Sequence, residues 1–195
     1  EFRNEAHQDK TSLSSFFQLN PYQAVRLYDK VLQLANLKGH EIVLDAYAGI
    51  GTISIWLAPF AQKVLAIESV PSSVKDAQEN AKLNQVENVQ FFIGEVEEVG
   101  ITLIQDVSVQ LLILDPPRKG CSQDFLHQLK GVSIPRILYI SCNPSTFARD
   151  CQILLSIGYQ LQYLQGVDMF PQTHHLEVVS LLTLTPQSYG SAQVR

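Results

Sequence analysis

Apolar positions along this chain recur first with helical spacing, then in short unbroken runs, and the two patterns alternate. Over residues 21–37, Val25, Leu27, Tyr28, Val31, Leu32, Leu34 and Ala35 mark a helix, and Gly39 beyond them is a stop signal. Residues 41–47 form a short buried strand, followed by the turn Ala48-Gly49-Ile50-Gly51 and a helical stretch to about Phe60. A second buried strand over 63–67 ends at Glu68, and Pro71 suits the first turn of a helix running to about Leu83. Val89–Ile93, Leu111–Leu114 and residues 136–140 are further apolar strands, with helical patterns near 124–129 and 145–156. Tyr159–Val167 and Glu177–Leu184 close the series. Strands alternating with helices predict parallel pairing and right-handed crossovers, hence an α/β, doubly wound, Rossmann-like sheet. The last two strands are joined without a helical pattern, which predicts one antiparallel strand near the C-terminus.

A chain of 195 residues with 46% hydrophobic content suits one domain with a sizeable core. We assign residues 16–186 to that domain, 1–15 to a linker or the end of a preceding region, and 187–195 to a polar tail. No apolar run approaches the roughly 20 residues that span a membrane, and no secretory signal opens the chain. Cys121, Cys142 and Cys151 fit neither a disulfide framework nor a paired-cysteine metal site, and the cytoplasm is the expected compartment. Adjacent His174 and His175 cannot easily chelate one ion, so no metal is expected. The net charge of −5 is unusual for a nucleic-acid protein. Three explanations are open: a small substrate, a local RNA grip, or a grip on another part of the protein.

The turn from Asp45 to Thr52 follows the first strand and opens a helix, where Gly49 and Gly51 let a ligand approach the backbone. Glu68, ending the second strand, is placed to accept hydrogen bonds from ribose hydroxyls. The third glycine of the dinucleotide fingerprint is missing, since Ile53 or Ser54 stands there. A pyrophosphate would prefer that glycine and an adenosyl sulfonium does not need it, which favours S-adenosylmethionine over NAD.

Asp115-Pro116-Pro117-Arg118-Lys119 ends the fourth strand, and its two prolines stiffen the loop. Asp115 suits a base edge or the cofactor amine, and Arg118 suits a phosphate; the plain alternative is a rigid turn. Cys142 ends the fifth strand beside a helix opened by Pro144, a setting expected to lower a thiol pKa. Glu177 enters an otherwise apolar strand, which is costly unless the carboxylate is used. Together, Cys142 and Glu177 match addition–elimination on a pyrimidine. Thiolate addition at C6 of uracil makes C5 nucleophilic, and a base then removes the C5 proton.

These residues resemble the S-adenosylmethionine-dependent RNA uracil-C5 methyltransferases that act on tRNA and 23S rRNA. The resemblance runs from Ser15-Phe16-Phe17-Gln18-Leu19-Asn20 through the glycine turn, Asp115-Pro116-Pro117-Arg118 and Ser141-Cys142-Asn143-Pro144 to Asp168-Met169-Phe170-Pro171 and Glu177. It implies Cys142 as nucleophile and Glu177 as the base. It implies Gln18, Tyr47, Glu68 and Asp115 as cofactor or base-pocket residues, with Thr52 and Glu95 aligned to cofactor contacts. The Pro-Pro-Arg-Lys-Gly and His-His-Leu-Glu details look like the 23S rRNA branch, with tRNA as the alternative RNA. Family proteins usually carry an N-terminal oligonucleotide-binding barrel, some with iron–sulfur cysteines, so this chain looks like the catalytic domain alone. Two rivals remain. An amino-methyltransferase would place an aromatic residue where Arg118 stands, and a non-catalytic RNA-associated domain would not need Cys142 and Glu177.

Overall fold

The computed structural model describes residues 21–168 and 176–185. Gln18, Met169-Phe170-Pro171, His174 and His175 lie outside them, as do the linker and tail. The first helix, α1 (Pro21–Ala35), ends two residues before its apolar pattern does. There the Arg136 guanidinium donates to the Ala35 carbonyl and Asn36 turns to a φ of 43°, which closes the helix. Six further units alternate: β1 (Ile42–Asp45), α2 (Thr52–Leu57), β2 (Lys63–Glu68), α3 (Pro71–Leu83), β3 (Val89–Ile93) and α4 (Val96–Asp106). The chain continues through β4 (Leu111–Leu114), α5 (Gln123–Gln128), β5 (Arg136–Ser141), α6 (Pro144–Ser156), β6 (Tyr159–Val167) and β7 (Glu177–Leu184). Helix α4 is an addition to the sequence-based reading, which has no helix there.

The seven strands form one sheet in the order β3-β2-β1-β4-β5-β7-β6. All pair in parallel except β7, which runs antiparallel to both β5 and β6. The central strands β1, β4 and β5 are apolar on both sides because helices cover both faces. On one face Val43, Val64, Ile113 and Leu138 pack with Leu27 and Val31 of α1 and Leu57 of α2. On the other, Leu44, Ile67, Leu114 and Tyr139 pack with Val96 of α4, Phe125 of α5 and Leu154 of α6. Chain connections diverge between β1 and β4, and the loops leaving the carboxyl ends of those strands open a crevice there. Because β7 is reversed, its first residue, Glu177, reaches the same edge.

Candidate active site

The cofactor half of the edge is a small cleft lined by Ala46, Tyr47, Ile67, Glu68, Ser69 and Gly94, together with Glu95 and Val96. Glu68 ties it together: Oε2 accepts from the Gly49 amide at 2.9 Å and Oε1 from the Val70 amide at 2.8 Å. The glycine turn and the acidic strand end are thus one hydrogen-bonded unit. Ionised carboxylate oxygens can accept about four hydrogen bonds in all, so capacity remains for ribose hydroxyls. Glu95 lines the cleft where α4 begins, and its carbonyl accepts from the Val99 amide at 3.0 Å.

The two glycines divide the work differently from the expectation. Gly49, at φ 55°, faces open space, whereas a Cβ on Gly51 would lie 3.1 Å from Ala77 Cβ and 3.2 Å from the Phe91 ring. Gly51, at φ 84°, is therefore also required for packing of the turn on α3 and β3. Gly51→Ala should cost about 1–3 kcal/mol, from strain plus overpacking, in urea-unfolding midpoints. Thr52 opens α2 and lies outside the residues that line the cleft.

Asp45, at the end of β1 and next to the residues that line the cleft, is a candidate that the sequence-based reading passed over. It is 1% exposed; Oδ2 accepts from Ser54 Oγ at 2.6 Å, while Oδ1 has no hydrogen-bond partner among the described residues. Burial, chiefly, with a contribution from Glu68, pushes its carboxyl up to about 6. Ser54 also explains the missing third glycine, since its hydroxyl is what satisfies Asp45. The signal available in the sequence was an acidic residue closing the apolar run Ile42-Val43-Leu44 just before a glycine turn. A buried carboxylate oxygen lacking a donor fits a ligand that brings a cation. An ammonium for Asp45 and ribose hydroxyls for Glu68 are both present in S-adenosylmethionine.

The chemical half comes from β4, β5 and β7. Ser141 pairs with Val178, which sets Cys142 and Glu177 side by side at the ends of neighbouring antiparallel strands. Glu177 is 7% exposed, and burial raises its proton affinity while Arg118 opposes that. Burial, Glu177 and Asp45 together push the Asp115 carboxyl well above the usual carboxylate range. Asp115 thus stands electrostatically between the cofactor half and the nucleophile.

The Cys142 thiol corrects the expectation drawn from its place before a helix. Burial and the charges of Glu177 and Asp115 push its pKa up, and Arg118 is the side chain that pulls it down. The helix-end effect is a fraction of a charge, whereas two carboxylates stand in the same low-dielectric edge. Arg118 thus acts electrostatically on both Cys142 and Glu177. Cys121 and Cys151 are buried. Among the described residues, no helix is long and apolar enough to cross a membrane.

The family model for tRNA (uracil-5-)-methyltransferases matches residues 3–185. An Oceanobacillus iheyensis protein named as an uncharacterized RNA methyltransferase is 48% identical over 174 residues, covering 89% of this chain and 38% of the relative. A Staphylococcus aureus protein of the same description is 47% identical over 176 residues, covering 90% and 39%. The chain thus spans less than half the length of the curated relatives it matches. Among solved structures, the Pyrococcus abyssi tRNA (uracil-54, C5)-methyltransferase in complex with S-adenosyl-L-homocysteine superposes with a TM-score of 0.74 at 35% identity. That match covers 87% of this chain and 40% of the other. A Geobacter metallireducens precorrin-6y C5,15-methyltransferase shares the fold at a TM-score of 0.71 and 14% identity, covering 90% and 93%.

Proposed function

The chain belongs to the tRNA (uracil-5-)-methyltransferase family, and from that premise we propose that it transfers a methyl group from S-adenosylmethionine to C5 of a uridine in RNA. The observation that carries this reading is that Cys142 and the buried Glu177 each adjoin the Ser141–Val178 pair at the carboxyl edge. S-adenosylmethionine, when bound, supplies an electrophilic methyl carbon on a sulfonium. Asp45 holds its ammonium, Glu68 its ribose, and Tyr47 and Glu95 line its cleft. Asp115, whose proton affinity is raised by burial and by Glu177 and Asp45, stands between that cleft and the base.

The thiol proton leaves to solvent, and the Cys142 thiolate adds to C6 of a uridine flipped out of its stack. Electron density moves to C5, which becomes the methyl acceptor. Glu177, more basic than a free glutamate, then takes the C5 proton, and the carbon–sulfur bond breaks to restore the uracil ring and Cys142. Arg118 favours the ionised forms of both groups. The RNA proposed is 23S rRNA, on the loop details quoted above. Transfer RNA is the second reading, favoured by the Pyrococcus abyssi neighbour, which acts on tRNA uracil 54. We propose residues 16–186 as the catalytic domain of a longer, cytoplasmic protein that grips RNA elsewhere, which reconciles the function with a net charge of −5. Mapping 5-methyluridine in 23S rRNA and tRNA from cells with and without the gene tests the reading. A methyl group that disappears from one uridine supports it; unchanged 5-methyluridine in both RNAs refutes it.

Two binding predictions follow from the cleft. Glu68→Ala should weaken S-adenosylhomocysteine binding by about 1–3 kcal/mol, the scale of hydrogen bonds to a charged group, measured by calorimetry. Asp45 gives a pH dependence. Its folded value of about 6 lies above the ordinary 3.8, so the stability that it contributes is present below 3.8 and lost as pH rises through 6. The cofactor ammonium needs the ionised form, so affinity moves the other way, rising about tenfold from pH 5 to pH 7. Asp45→Asn should stabilise the ligand-free domain at pH 7 by on the order of 1–3 kcal/mol while flattening that affinity profile. A profile equally steep in the variant would remove Asp45 from the cofactor site.

A further inference from the structure

We propose that Asp150, fully buried, and Arg149 form a positioning element that holds the loop bearing Arg118 to the helix entry bearing Cys142. The proposal rests on the reading of Cys142 and Glu177 as the reacting groups. Asp150 lies in the second turn of α6 and is 0% exposed. Its Oδ2 accepts from the Cys121 amide at 2.7 Å and from Tyr139 Oη at 2.6 Å. Its Oδ1 takes Arg149, with Nε at 2.8 Å and Nη2 at 2.7 Å. Arg149 Nη2 goes on to donate to the carbonyls of Lys119 at 3.0 Å and Cys121 at 3.2 Å. Each loop residue just after Arg118 is therefore clasped to α6.

The clasp is tight enough to exclude a side chain. Gly120 turns at φ 79°, and a Cβ there would lie 2.6 Å from both Arg149 Nη2 and Asp150 Oδ2. Arg118 is fastened as well, its carbonyl accepting from Asn143 Nδ2 at 3.1 Å and Thr146 Oγ1 at 3.3 Å. Pro116 and Pro117 restrict the backbone on the other side. The loop that bears Arg118 and the helix entry that bears Cys142 thus move as one body. The network continues toward the cofactor: the Cys121 thiol donates to Tyr139 Oη at 3.6 Å and also meets the Tyr47 side chain. Burial pushes the Cys121 thiol up to about 12, so it stays a neutral donor.

Arg149 is 39% exposed beside the fully buried Asp150, and a half-exposed ion pair adds little to stability. A surface loop needs no such device merely to stay folded. What this one secures is the backbone of the loop that carries Arg118, whose charge favours the ionised forms of Cys142 and Glu177.

The test is the pH dependence of Cys142 alkylation by iodoacetamide, which needs neither RNA nor cofactor and can fail while 5-methyluridine mapping succeeds. Cys121 and Cys151 are buried, and peptide mapping isolates the Cys142 signal. Arg149→Lys keeps the charge but loses the planar fork, and Asp150→Asn removes the ion pair; the first keeps the test open should the second not fold. Both should move the alkylation profile to higher pH, slowing the reaction at pH 8 by roughly threefold to tenfold, half to one pKa unit. Arg118→Met should shift it equally, and adding Arg149→Lys to Arg118→Met should shift it no further. An Arg149→Lys profile that matches the unmutated protein, or a double variant with additive shifts, would overturn the proposal.

Discussion

Cys142→Ala is expected to abolish both methylation and any covalent protein–RNA complex, because the other two cysteines are buried elsewhere. Cys121 is buried behind the Arg118 loop, and Cys151 lies buried in α6. The alanine variant should still bind S-adenosylhomocysteine, since the cleft around Glu68 draws on β1, β2 and the start of α4. Retained methylation by the alanine variant would remove the thiol from the mechanism. Loss of cofactor binding would instead mean that the substitution damages the fold.

Glu177→Gln should behave in the opposite sense. Addition at C6 and methylation of C5 do not need the carboxylate, but the C5 proton then has no acceptor. A methylated, denaturation-resistant adduct should accumulate, with turnover reduced by about 10²–10⁴-fold, the usual worth of a positioned general base. The glutamine also removes one of the two charges that hold the Cys142 proton, so adduct formation should not slow in step with release. A variant that is equally slow in forming and in resolving the adduct would reassign Glu177 to binding.

Much of this was legible in the sequence because the strands are apolar runs closed by polar or glycine-rich turns. β6 and β7 are delimited as read, and the reversed β7 follows from its helix-free connection. Helix α4 was not legible, and Gly100 is one reason. Glycine weakens a helix, yet a Cβ there would lie 3.2 Å from Phe125 and 3.3 Å from Val96, so packing selects it over propensity. The pairing of Cys142 with Glu177 could be inferred from chemistry. The raised thiol could not, since the carboxylates responsible arrive from β4 and β7, far away along the chain. Asp45 was passed over for a related reason: an orphaned oxygen is defined by what fails to surround it in three dimensions. Gly51 reads as a ligand glycine locally, and its role depends on Ala77 and Phe91.

The central claim is a covalent bond between Cys142 and C6 of uridine, and 5-fluorouridine RNA isolates it. Fluorine at C5 cannot leave as a cation, so the unmutated protein should stall after methylation. Intact-mass measurement after denaturation, followed by peptide mapping, should find protein plus RNA plus one methyl group, with the RNA attached at Cys142. Full methyl consumption with no adduct, or an adduct at another residue, would contradict the account.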